Sequence, residues 1–292
     1  MHGALILAIV LGMAVFIPVL FRGSSPADRK WLLLCLVATV PMSWLMFHLV
    51  RIPVDHWLQK YLGNSNLLSW LRTAYAPLTE EPAKLWPLLI LPVRQSITRE
   101  NLGRFALALG LGFALGEMLT VAGILESKQP EVVSMPWYLL GGFISERLFT
   151  CATHPAMTSL TLAGWRRGGN LPLGLACSMY AHYLANFPIT MAQRGWLGRN
   201  LSVSATILAL WVLACFLASL LWLARFYHPK VRLGRRLFGE AICPGCGRRF
   251  DRGVFTGLNM GVGRRYERCP FCRQWHWTQL APPKNAAAPE VV

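Results

Sequence analysis

Apolar residues come in long runs over the first three quarters of this chain, and polar residues break them at only a few places. Seven runs approach the roughly 20 residues that a helix needs to cross a hydrocarbon core: Ala4–Phe21, Trp31–Val50, Leu67–Val93, Phe105–Leu125, Pro136–Trp165, Leu171–Ala192 and Leu201–Ala224. The third holds Pro77, Pro82, Pro87 and Pro92. It predicts a bent or interrupted helix, with neighbouring helices satisfying the freed backbone groups. The first run has no Lys or Arg before it and no small-residue cleavage site after it, so it reads as a retained helix and not as a removed signal peptide.

Composition agrees with that pattern. The chain is 54% hydrophobic and 14% charged, against about 25% charged in soluble domains. The expected fold class is an all-α polytopic membrane helix bundle of about seven transmembrane helices. Basic residues then orient it, since the side richer in Lys and Arg is cytoplasmic. Arg22, Arg29 and Lys30 follow the first run, Arg94, Arg99 and Arg104 the third, and Arg166 and Arg167 the fifth; Arg225, Lys230, Arg232, Arg235 and Arg236 follow the seventh. The expectation is an external N-terminus and a cytoplasmic C-terminus, with Arg51, Lys60, Arg72, Arg194 and Arg199 as exceptions on the outer side.

Four polar clusters interrupt the apolar runs: Glu80-Glu81 with Lys84, Glu117, His154, and His182 with Asn186. Counted from the cytoplasmic anchors at about 1.5 Å per residue, they lie roughly 16–20 Å up, in one layer. By the same count Glu146 and Arg147 fall near the outer boundary, where solvation would account for them. Ionisable residues at such depth are costly and mark functional sites facing a bundle interior. Phe113 with Glu117, His154 with Thr158, and His182 with Asn186 are i, i+4 pairs that share a helix face. Thr158 and Asn186 are thereby placed to orient a reacting group or a neighbour. Gly110, Gly112 and Gly116 give the Glu117 helix a small surface for close packing. Thr79 reads as an N-cap opening a half-helix at Glu80-Glu81, and Lys84 as a cation that neutralises one carboxylate while the other serves as base.

The ordered set Glu80-Glu81-Pro-Ala-Lys84, Phe113-Ala-Leu-Gly-Glu117, His154-Pro-Ala-Met-Thr158 and His182-Tyr-Leu-Ala-Asn186 resembles the motifs of the PrsW-type intramembrane proteases, which belong to a wider group with the CAAX prenyl proteases. The resemblance covers about Ser65 to Gln193. Met118 departs from it, because the family more often has a polar residue there, and so does the C-terminal extension. It implies a membrane-embedded endopeptidase acting on membrane-anchored protein substrates, in a bacterial inner membrane. In the expected mechanism Glu81 is the general base for water, assisted by Glu80 or Glu117. His154 and His182 either bind a catalytic Zn²⁺ with Glu117 as third ligand or donate to the tetrahedral oxyanion without metal, with Asn186 polarising or orienting and Lys84 and Thr158 supporting.

The C-terminal region follows a different pattern. Cys243-Pro-Gly-Cys246 and Cys269-Pro-Phe-Cys272 are two CxxC knuckles 22 residues apart, the spacing of a four-thiolate structural zinc site. This predicts a small cytoplasmic zinc ribbon, with Gly245 and Gly247 in the first turn and Phe250, Phe255, Tyr266, Trp275 and Trp277 as its core. Cys35, Cys151, Cys177 and Cys215 read as small core residues of the helices; His48, His56, His228 and His276 read as structural. The expected organisation is a bundle over 1–225 with its catalytic core at 65–193, a basic juxtamembrane linker at 226–240, the ribbon at 241–280 and a disordered tail at 281–292. Arg225 to Arg273 holds 12 Lys or Arg against three acidic residues, net +9 of the chain's +16. Anionic lipid is the first partner expected there; nucleic acid and a docked protein are the alternatives. The competing function is a non-enzymatic membrane scaffold or sensor that signals through the ribbon. A transporter is disfavoured by the lack of an inverted repeat.

Overall fold

The structure, a computed structural model, describes residues 1–129, 131, 134–198, 201–227, 239–252, 257–259 and 264–281. The chain divides into two compact units, Met1–Tyr227 and His228–Val292. Most of the basic linker and all of the tail beyond Ala281 lie outside the described residues, as do Phe255 and His228.

The first unit is helical. α1 (His2–Phe21) leads to α2 (Pro26–Thr39), α3 (Met42–Leu45), a π-helical stretch (Met46–Arg51) and α4 (Ile52–Leu62). α5 (Asn66–Lys84) follows, then a 3₁₀ turn (Trp86–Leu89), α6 (Leu91–Ser96) and α7 (Leu102–Lys128). A second 3₁₀ turn (Trp137–Leu140) precedes α8 (Gly141–Gly168), α9 (Leu171–Gln193) and α10 (Leu201–Tyr227). Ser25 caps α2, Ser65 caps α5 and Asn170 caps α9, each accepting from a backbone N–H three residues on.

Among the described residues, four helical segments are long and apolar enough to cross a membrane: His2–Phe21, the continuous run Pro26–Leu62, Leu102–Lys128 and Ser202–Ala224. They mark a membrane protein. Seven spans are not confirmed. The third apolar run breaks at Leu85, where α5 gives way to the 3₁₀ turn. α8 and α9 are long but carry the polar positions that a span by composition excludes.

α7 is the central element. Phe105, Leu107, Leu109, Leu111 and Phe113 are all buried, as an all-round apolar helix requires. It packs on α2 and α8 through glycine. A Cβ on Gly110 would overlap the backbone of Pro155, and one on Gly112 or Gly116 would overlap the carbonyls of Leu36 or Val40. Gly164 and Gly174 make the same kind of approach between α8 and α9. Cys35 and Cys151 are core residues as expected, whereas Cys177 is exposed and Cys215 partly so, because both sit on outward sides of their helices.

The second unit is a five-stranded antiparallel sheet of β1 (Glu240–Ile242), β2 (Arg249–Asp251), β3 (Gly257–Asn259), β4 (Arg264–Arg268) and β5 (Trp275–Leu280), in the order β2-β1-β5-β4-β3.

Candidate functional site

Four helices, α5, α7, α8 and α9, deliver the polar clusters to one place. α5 is continuous through Thr79, whose hydroxyl donates to the Tyr75 and Ala76 carbonyls of its own helix. The expected half-helix start is therefore absent, and Glu80 and Glu81 lie in the last turn of α5. The negative end of a helix dipole opposes carboxylates there, so their charge needs other partners.

Glu81 has three, and is 1% exposed. Lys84 Nζ donates to its Oε1 at 2.5 Å, His182 Nδ1 donates to the same oxygen at 2.7 Å, and Ser178 Oγ donates to Oε2 at 2.7 Å. Glu80 turns the other way. Its Oε1 accepts from Arg51 Nη1 at 2.7 Å, and its Oε2 stands 3.7 Å from His182 Nε2.

His154, on α8, is gripped from both sides. Lys84 Nζ meets its Nδ1 at 2.8 Å and Glu117 Oε2 of α7 meets its Nε2 at 2.6 Å. An ammonium can only donate and a carboxylate only accepts. The ring is thus neutral, with Nδ1 as acceptor and the proton on Nε2. His182 presents Nδ1–H to Glu81, and its Nε2 faces Glu80 Oε2. The two rings lie edge to face, 5.5 Å apart. Arg147 Nη1 stands 3.4 Å from Glu117 Oε1, and Arg147 also pairs with Glu146.

These groups wall a cavity of about 150 Å³ lined by Arg51, Glu80, Glu117, Arg147, His154, His182 and Asn186, among others. Glu81 and Lys84 are not in its wall. Thr158 is not either; its hydroxyl donates to the His154 carbonyl one turn back, the usual habit of a buried helical threonine. Arg147 is 4% exposed and paired with Glu117 rather than solvated at an outer boundary. Arg51, Arg147 and Ser178 are site residues that sequence reasoning missed. Ser178 precedes His182 by four and Arg147 precedes His154 by seven, so helical spacing carried the signal for both.

One atom each from Glu80, His154 and His182 lies within 4.8 Å of the others, a grouping that could hold a metal ion. As the side chains stand, Lys84 and Glu117 engage both nitrogens of His154, so a metal there would have to replace the Lys84 contact at Nδ1.

A second cluster lies in the sheet unit. Sγ of Cys243 is 3.6 Å from that of Cys272, and Sγ of Cys246 is 3.7 Å from that of Cys269. All four thiols are free. Each knuckle closes on itself, with Gly247 N–H donating to the Cys243 carbonyl and Arg273 N–H to the Cys269 carbonyl. Gly247 and Arg273 occupy equivalent left-handed positions, φ 68° and 62°. Gly245 serves differently: a Cβ there would collide with the His276 ring. Burial raises the Cys269 thiol, but backbone N–H groups of Cys272 and Phe271 more than reverse this and hold it at about 7. The arrangement is compatible with a metal site.

Only part of the expected aromatic core is a core. Phe250 is buried, but Trp275 and Trp277 are 51% and 55% exposed. The interior is instead ionic, with Glu267 fully buried beside Arg252 Nε at 3.1 Å and paired with the Thr278 hydroxyl.

Compared with family models, with curated proteins and with solved structures, the chain matches none.

Proposed function

We propose that the chain is an intramembrane endopeptidase that cleaves membrane-associated proteins by metal-free activation of water. The observation that carries this reading is the cavity in which Glu80, His182, His154, Glu117 and Asn186 face a common space between α5, α7, α8 and α9. The ordered motifs that are similar to those of PrsW-type proteases supply the same residues.

Within this reading Glu80, and not Glu81, is the general base. A water on the cavity side of Glu80 Oε2 and His182 Nε2, which stand 3.7 Å apart, would touch both groups. Glu80 takes its proton as the oxygen attacks the peptide carbonyl, and returns that proton to the leaving nitrogen as the C–N bond breaks. The Asn186 amide is the donor available to the oxyanion, while Glu117 holds His154 Nε2–H. Glu81 is a positioning residue, which fixes His182 Nδ1 and neutralises Lys84.

In the sheet unit the four thiolates would hold Zn²⁺. Their separations agree with the sulfur–sulfur edge of about 3.8 Å expected for a tetrahedron with Zn–S near 2.3 Å. Anionic lipid at the juxtamembrane basic segment, and a cytoplasmic ribbon in a bacterial inner membrane, complete the proposal.

The test compares membrane-protein N-termini by mass spectrometry in cells carrying wild type, Glu80→Gln or Glu81→Gln. New N-termini that vanish in Glu80→Gln at equal protein level are expected. No difference at equal levels across several stress conditions would overturn the reading and leave the scaffold.

A further inference from the structure

The register of β4 on β5 sorts side chains onto two faces of the sheet. Tyr266 is opposite Trp277, Arg264 opposite Gln279 and Arg268 opposite Trp275. Opposed residues share a face, so these six lie together, away from the buried Glu267, Arg265 and Thr278. Tyr266 stacks on Trp275 at 5.4 Å and 25° and meets Trp277 at 5.2 Å. A groove of about 560 Å³ touches Arg264, Trp277 and Gln279 of this face. Exposed tryptophans on an unpaired sheet face are costly to leave in water and mark interaction sites.

We infer that this face binds single-stranded nucleic acid with little sequence preference. Each base has a π-face for the exposed rings, while Arg264 and Arg268 stand at the edges of the row to meet phosphates. Charge complementarity favours a polyanion, because both charged residues among these six, Arg264 and Arg268, are basic. The inference does not rest on the hydrolase reading, since it concerns the other unit.

The test uses the full chain in zwitterionic nanodiscs and a fluorescein-labelled oligouridine of about twelve nucleotides, followed by anisotropy at several salt concentrations. Wild type should bind it more tightly than a duplex of equal length. Trp277→Ala and Trp275→Ala should each weaken binding about tenfold, and Trp277→Phe should restore most of it. One bound metal per chain in every variant would show that the sheet unit is intact. Absence of binding by intact wild type overturns the inference. So does binding that ignores both tryptophans, which would be electrostatics alone. Tryptophan-dependent binding to anionic vesicles or to an acidic peptide, with none to oligouridine, overturns it in favour of that partner.

Discussion

Adjacent glutamates have opposite fates at this site. Glu81 is enclosed by Lys84, His182 and Ser178, whereas Glu80 meets the cavity with Arg51 behind it. Glu81→Gln leaves the Lys84 ammonium buried without its counter-charge, a loss of about 3–5 kcal/mol. It should therefore lower the thermal midpoint in detergent, with activity lost alongside the fold. Glu80→Gln should abolish cleavage while the midpoint falls far less, because Arg51 is partly exposed. Equal destabilisation by the two would contradict this division. Ser178→Ala removes one donor to Glu81 and should cost about 1 kcal/mol, read in the same melt. The sequence told where these residues fall along their helices, but the choice between Glu80 and Glu81 was illegible in it. That choice depends on the angular setting of α5 against α9, which is fixed by contacts of high sequence separation such as Thr73 with Thr190 at 2.6 Å.

Helices meet here wherever a side chain is missing. Gly110 lets α7 touch α8 at the peptide between His154 and Pro155, so the same contact that packs the bundle also sets the height of His154 against Glu117. Gly110→Ala should cost about 1–3 kcal/mol by overpacking and should lower cleavage more than Gly123→Ala. Gly123 sits on the same helix with open space at its Cβ position, and alanine there should be neutral or stabilising. Thermal melts and the N-terminal assay on both variants check the contrast. The glycine run of α7 was readable as a close-packing surface from spacing alone. Two other elements were not. Thr79 has the residue type and position of a cap, yet Pro77 and Pro82 are both accommodated inside α5 and the helix continues past it. Trp275 and Trp277 alternate with buried Thr278 as a strand demands, but an alternation does not say which side is wet, and a buried arginine–glutamate interior occupies the side that the tryptophans were expected to fill.

The whole molecule couples two kinds of stability. The helical unit rests on apolar burial around α7, whereas on the metal-site proposal the small sheet unit depends on its thiol cluster. Chelation should collapse the sheet unit, seen as loss of protease resistance after residue 239, while helical circular dichroism persists. Acid should do the same. Protons compete with the metal for all four thiolates, so release measured with a chromogenic chelator should rise as pH falls, and release that is flat from pH 9 to 5 would contradict this.

The chamber between Glu80 and Asn186 has room for about five water molecules. An extended polypeptide with its flanking side chains is several times larger, so on the hydrolase reading a substrate has to widen this space. The contact of Thr73 with Thr190 and the hydrogen bond of Glu81 to His182 tie α5 to α9 and oppose that widening. Turnover then depends on that widening as well as on bond-breaking. Its rate should follow the thickness and lateral pressure of the surrounding bilayer, which makes the lipid a throttle on the enzyme.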